Sequence, residues 1–130
     1  MRSKSYVINA KPIAWQRSGH NGHHFYDRQK NEKIAYGLYI LKHHGDEPIF
    51  EGPLSLDVIF YMPQPRLLRN RSKSGYHDKV PDIDNLLKHL MDSITQTKVV
   101  WNDDKQVAQI YEKKIYAKTP RIEFTISEIE

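Results

Sequence analysis

The chain has 130 residues, 38% of them hydrophobic, and 20 Lys and Arg against 16 Asp and Glu give a formal net charge of +4. That length fits one ordinary domain with a modest core, and the absence of cysteine excludes disulfides and thiolate metal sites. Met1 to Ser18 carries charges and no continuous apolar run, and no stretch approaches the roughly 20 apolar residues that span a bilayer, so a cytoplasmic protein with no membrane partner is expected.

Residues 4–9 read as a short strand, and 10–24, with Pro, Gly, Asn and three His, as a loop. Lys11, Gln16, Arg17, His20, His23 and His24 form a polar cluster there; lacking cysteine and the spacing of known zinc sites, it reads as a solvated loop. Asp27 is placed to cap a helix from about 28 to 44. Its apolar stripe is Ile34, Ala35, Leu38 and Leu41, Gly45 is a fitting stop, and His43 and His44 suit the negative end of the helix dipole. Leu54, Leu56, Val58 and Phe60 alternate with more polar neighbours, as in a strand.

Residues 62–80 show no apolar period and carry two prolines, which predicts a long functional loop. Within it a basic stretch at about 63–79 holds Arg66, Arg69, Arg71, Lys73 and Lys79 against the single acid Asp78. A second helix is expected over about 85–96, capped by Asp84, with Leu86, Leu87, Leu90, Met91 and Ile94 on its buried face. Residues 106–117 read as a strand or a bulged hairpin arm, and Arg121 to Glu128 as a strand with Ile122, Phe124 and Ile126 on one side. The whole predicts a single small α+β domain over 1–130, with two helices packed on a mixed sheet.

Chemistry concentrates in Pro81-Asp82-Ile83-Asp84-Asn85-Leu86-Leu87-Lys88 and in Trp101-Asn102-Asp103-Asp104. Asp82 and Asp84, two apart in extended chain, project to one side. Asp84 and Lys88, four apart, share a helix face. Of the adjacent pair, one of Asp103 and Asp104 is expected to join the pocket and the other to support it or cap a turn. Two like charges at 4 Å repel by about 4 kcal/mol at an effective dielectric near 20, and a divalent cation with hard oxygen ligands, Mg²⁺, Mn²⁺ or Ca²⁺, relieves that. The local alternatives are plain: an Asp at a helix start is commonly a cap, and Asp-Asp commonly a turn. A basic surface around an acidic, metal-binding pocket points to a polyphosphate substrate, and so to a nuclease.

These residues, with Asp92 and Lys105-Gln106-Val107, resemble the RusA-type Holliday-junction resolvases, endonucleases that cut four-way DNA junctions. The resemblance is specific over 81–107 and looser over the N-terminal half, where an early strand, a basic Gly-containing loop and Tyr26 stand in familiar order. It implies a RusA-like fold, Mg²⁺ (with Mn²⁺ as substitute) on Asp82, Asp84 and Asp104, Asp103 in support, and Lys88 assisting catalysis. It also implies a homodimer whose two sites cut opposing strands to leave 5′-phosphate nicks, in recombination and repair, in a phage or prophage setting. Val80 stands where many members carry a basic residue, and the loop 63–79 is extended.

Arg17, Arg66, Arg69, Arg71, Lys73 and Lys79 are the expected phosphate contacts. Leu67 and Leu68 either wedge into an opened junction or, as expected, pack the loop onto the body or a partner. Trp101 is expected in the core. Lys113, Lys114 and Lys118 extend the phosphate track or line a solvated strand face. The competing classes are a non-catalytic branched-DNA-binding protein and a Ca²⁺-stabilised structural protein.

Overall fold

The computed structural model describes residues 1–22 and 24–130. In chain order come β1 (Ser3–Ile8), β2 (Gly19–Asn21), β3 (His24–Tyr26), α1 (Lys30–His44), β4 (Leu54–Pro63), α2 (Ile83–Thr97), β5 (Val107–Ala117) and β6 (Arg121–Glu128). Short 3-10 turns stand at Leu68–Asn70 and Asp104–Gln106. The main sheet is mixed, in the order β1-β6-β4-β5. β6 runs antiparallel to both β1 and β4, whereas β4 and β5 are parallel. A parallel pair cannot be joined by a tight turn and needs a crossover; α2 supplies it, so β5 is not a hairpin arm. The expected α+β fold, two helices on a mixed sheet, is the one that forms.

The strand alternation read from the sequence sets the core. Leu54, Leu56, Val58, Phe60 and Met62 of β4 are buried, as are Ile122, Phe124 and Ile126 of β6. Against them lie Leu86, Leu90 and Ile94 of α2 and Tyr36 and Ile40 of α1, with Leu87 and Met91 half-buried. Trp101 is core, as expected, and its Nε1 donates to Thr95 Oγ1 at 2.8 Å.

Three expectations change. Residues 10–24 are not all loop, because β2 pairs antiparallel with β3. Gly19 leaves room for the Tyr26 ring, which would have to shift if a Cβ stood there. Of the histidines in that polar cluster, His23 lies outside the described residues.

The second change is the buried face of α1. Ile34, Leu38 and Leu41 are 51%, 64% and 42% exposed, and Ala35 is exposed with them. The inward face is Lys33, Tyr36, Gly37, Ile40 and His44. Polar partners make that face possible. Lys33 Nζ pairs with Asp27 Oδ2 at 2.8 Å and with Asp92 Oδ2 at 3.8 Å. Tyr36 Oη donates to the Lys11 carbonyl at 2.7 Å, and Tyr6 Oη and His44 Nδ1 lie 2.7 Å apart. A lysine whose stem is buried and whose charge is paired defeats a purely apolar periodicity. His44 is thus a core residue rather than a solvated dipole partner. Asp27 does not occupy the cap position, which is Gln29; its Oδ1 accepts from the Gln29 N–H at 2.8 Å.

The third change is the long connection from β4 to α2, whose later part is tied to the edge of the sheet. The His77 N–H donates to the Lys114 carbonyl and the Tyr116 N–H to the Gly75 carbonyl, each at 3.0 Å. Covering an edge strand in this way protects its unpaired backbone groups.

Candidate active site

Asp82 occupies the N-cap position of α2 in extended backbone (φ −66°, ψ 144°), and Asp84 sits in the first turn. Asp84 is therefore not the cap expected from the sequence. A capping aspartate turns its carboxylate onto an N–H two or three residues on. The Asp82 side chain makes no such bond; its backbone carbonyl instead accepts from the Asn85 and Leu86 N–H groups, both at 3.2 Å. Among the described residues, Asp84 Oδ1 accepts from the neighbouring Asn85 N–H, at 3.0 Å. Two exposed carboxylates thus stand at the positive end of α2, and neither closes the helix.

Their backbone is held from two sides. The Trp15 N–H donates to the Asn85 carbonyl at 2.9 Å, joining the N-terminal loop to the first turn of α2. Lys114 Nζ donates to the carbonyls of Lys79 and Pro81, each at 2.6 Å. Lys114 is therefore committed to the loop and does not extend a phosphate track, while Lys113 and Lys118 are exposed.

The second acidic cluster follows α2. Asp103 caps the 3-10 turn. Its Oδ1 accepts from the Lys105 N–H at 2.9 Å, and Gln106 Oε1 returns to the Asp103 N–H at 3.1 Å, a capping box. The backbone bond from Lys105 and the hydrogen bond with Asp104 hold the Asp103 carboxyl below the usual range. Asp104 is pushed the other way, first by partial burial, then by the bond with Asp103 and the charges of Asp103 and Asp92, with Lys88 opposing. Asp103 thus caps a turn, while the charges of Asp92 and Lys88 act on Asp104 in opposite directions. Lys88 also lies with its Nζ 5.2 Å from the centroid of the Trp15 ring.

Glu112 of β5 adds an acid that sequence reading missed. Burial raises its carboxyl first, and the charge of Asp84 raises it further. Its Oε1 is buried with no hydrogen-bond partner. The acidic donors are all carboxylate oxygens, the chemistry hard divalent cations take, and both this orphaned oxygen and the crowding at Asp104 would be relieved by positive charge. Among the described residues, no three His, Asp or Glu side chains stand close enough together to hold an ion at once. The charge of Asp84 acts on Glu112, and those of Asp103, Asp92 and Lys88 act on Asp104.

Arg17, Arg66, Arg69, Arg71, Lys73 and Lys79 are all exposed, and none is ion-paired among the described residues. Arg71 leans inward, donating to Gln64 Oε1 at 3.4 Å and lying 5.8 Å from the Tyr116 ring centroid. Leu67 and Leu68 are 45% and 67% exposed, so they do not pack the loop onto the body.

Trp15, Lys114 and Glu112 are the functional-region residues least visible in the sequence. For the last two there was a usable signal. Glu112 and Lys114 fall in the same alternation phase as buried Tyr116, and charged residues in an inward phase of a strand need partners.

A sequence profile for the family Endodeoxyribonuclease RusA matches residues 8–127. The chain is 29% identical to the uncharacterized protein YqaN of Bacillus subtilis (strain 168) over 137 aligned positions, covering 95% of each protein. It is 28% identical to the crossover junction endodeoxyribonuclease rusA of Lactococcus phage r1t, over 81% of this chain and 78% of the phage protein. With the aspartate-bearing helix start, the second acidic turn beside Lys88 and a profile match that spans nearly the whole chain, this protein belongs to the RusA endodeoxyribonuclease family.

Proposed function

We propose that the protein resolves four-way DNA junctions by paired, Mg²⁺-dependent phosphodiester cleavage that leaves 5′-phosphate nicks, working as a homodimer in DNA recombination and repair. The observation that carries this reading is the uncommitted helix start: Asp82 and Asp84 stand exposed at the positive end of α2, immediately after an exposed basic loop. The name of the phage relative supports the substrate. The absence of any helix among the described residues long and apolar enough to cross a membrane is consistent with action on DNA in the cytoplasm.

Asp82, Asp84 and Asp104 are the residues assigned to the divalent ion, which must draw their side chains together because the described residues hold no preformed three-carboxylate cluster, and Asp103 supports Asp104 from its capped turn. When bound, that ion supplies a water of lowered pKa and neutralises charge on the phosphoryl oxygens. The chain's own groups do the rest. Lys88, beside Asp104 and against Trp15, offers an ammonium to the charge that develops on the scissile phosphate. Arg66, Arg69, Lys73 and Lys79 take flanking phosphates, and Arg17 does so from the N-terminal side. Lys114 and the Trp15 N–H keep the Asp82–Asp84 backbone in register with them.

The test is Asp82→Asn on a synthetic four-way junction with Mg²⁺ present. The substitution removes a charge and little shape, so cleavage should fall by at least about 10²-fold while junction binding persists. Cleavage at the wild-type rate would sink the role of Asp82. Binding without cleavage by the wild-type protein in both Mg²⁺ and Mn²⁺ would favour the non-catalytic branched-DNA-binding reading.

A further inference from the structure

Trp15 is held by more backbone bonds than a connecting loop needs. Gln29, at the head of α1, is only 1% exposed. Its Nε2 donates to the Ala14 carbonyl at 2.7 Å, and its Oε1 accepts from the Gln16 N–H at 2.9 Å. One buried amide thus clasps the chain on both sides of Trp15. In extended chain those two groups point one way and the N–H between them points the other. The Trp15 N–H accordingly donates to the Asn85 carbonyl of α2 at 2.9 Å. Upstream, the buried Tyr36 hydroxyl ties down the Lys11 carbonyl at 2.7 Å.

The side chain held in this way is not spent on the core. Ile13 and Ala14 pack against the hydrophobic cluster, whereas Trp15 is half-buried and stands outside it. Its ring meets Lys88 instead, with Nζ 5.2 Å from the ring centroid. Lys88 is exposed, and no carboxylate among the described residues forms an ion pair with its ammonium. A lysine on a flexible four-carbon stem samples many positions. An indole face is the best aromatic partner for its charge. Lys88 lies one helical turn after Asp84, so a ring fixed from α1 and α2 together sets where that charge stands at the helix start.

We propose that Trp15 is a positioning residue of the nuclease centre: its indole face, clamped through Gln29 and Asn85, holds the Lys88 ammonium in place for the scissile phosphate. The proposal rests on the charge-stabilising role assigned to Lys88 above.

The experiment uses the full chain. The Lys88 ε-methylene resonance of ¹³C-lysine protein, assigned by its loss in Lys88→Arg, should lie upfield of the other exposed lysines, because an aromatic face shields it. It should return to the common position in Trp15→Leu. The first reading is taken with Trp15 intact and needs no Trp15 variant to fold; an unshifted Lys88 resonance there overturns the proposal. Single-turnover cleavage of a four-way junction should fall about 10-fold in Trp15→Leu and be largely kept in Trp15→Phe. Metal-free junction affinity should be unchanged in both. In a Lys88→Ala background, Trp15→Leu should cost little more. An equal loss in both backgrounds overturns the proposal, and so does a fall in affinity with cleavage unchanged, which would make Trp15 a DNA contact. Slow Lys88→Ala beside a fully active Trp15→Leu overturns the positioning role alone. Wild-type cleavage by Lys88→Ala overturns the role of Lys88 and that of Trp15 together.

Discussion

Lys114 reaches from β5 to the carbonyl of Pro81 at 2.6 Å, one residue before Asp82. It takes the Lys79 carbonyl at the same distance. One ammonium thus fixes the last stretch of a long loop, across the Val80–Pro81 cis peptide bond, just where the chain delivers its first catalytic candidate. Hydrogen bonds from a charged donor are worth about 1.5–3 kcal/mol each, and here they act on position more than on global stability.

Replacing Lys114 by Met keeps the stem and removes both bonds. Cleavage of a four-way junction should fall by roughly 10²-fold, the scale of a 1 Å misplacement of a reacting group. The far-UV circular dichroism should be unchanged, and amide exchange should speed up over 77–84. A variant with wild-type cleavage would show that the Asp82 backbone does not depend on this anchor.

Asp103 separates a capping role from a metal role. Its carboxylate caps the 3-10 turn. Asparagine caps about as well as aspartate, whereas alanine costs about 1 kcal/mol. Asp103→Asn should therefore keep the wild-type Tm, and Asp103→Ala should lose a few degrees. If Asp103 acts only as support, Asp103→Asn should also keep most of the Mn²⁺ affinity. A steep loss of metal in Asp103→Asn with an unchanged Tm would make it a direct ligand.

The strands were legible because a two-residue alternation survives any one polar intruder. Leu54 to Phe60 and Ile122 to Ile126 were read correctly for that reason. The face of α1 was not, because its inward positions include Lys33, whose charge is met by Asp27 and Asp92 from elsewhere in the chain. The Asp92 partner, brought in by α2, leaves no local trace, and the apolar run Ile34, Leu38 and Leu41 is not the core side. At the site, the two acidic stretches were legible as composition. The inward placement of Glu112 was not, since it depends on how β5 registers against β4.

The exposed basic loop makes a claim about salt. Each phosphate contact adds about 0.9 to the magnitude of the slope of log K against log salt concentration on duplex DNA. Joint replacement of Arg66, Arg69 and Lys73 by Ala should flatten that slope by roughly 2–3. Junction binding measured by fluorescence anisotropy over a KCl series, with metal chelated, gives the number. An unchanged slope with weakened affinity would mean that these residues act through the loop's conformation rather than on phosphates.

His89 of α2 supplies a pH dependence independent of the nuclease centre. It is fully buried, its ring meets Tyr36 edge-on at 4.9 Å, and neither ring nitrogen has a hydrogen-bond partner. Burial, and secondarily the charge of Lys33, lower its pKa from 6.5 to about 4, with Asp27 partly opposing. The unfolded chain therefore takes up a proton near pH 6.5 that the folded chain refuses until about pH 4. The stability tied to this residue is fully present above pH 6.5, is lost as the pH falls toward 4, and changes no further below that. The span corresponds to about 3 kcal/mol. His89→Leu removes the titration and, because no group bonds to the ring, orphans no partner. Urea unfolding of both proteins between pH 4 and 7.5 should show wild-type stability falling by a few kcal/mol more than that of the variant. Parallel curves would mean that the ring gains a proton-accepting partner in solution.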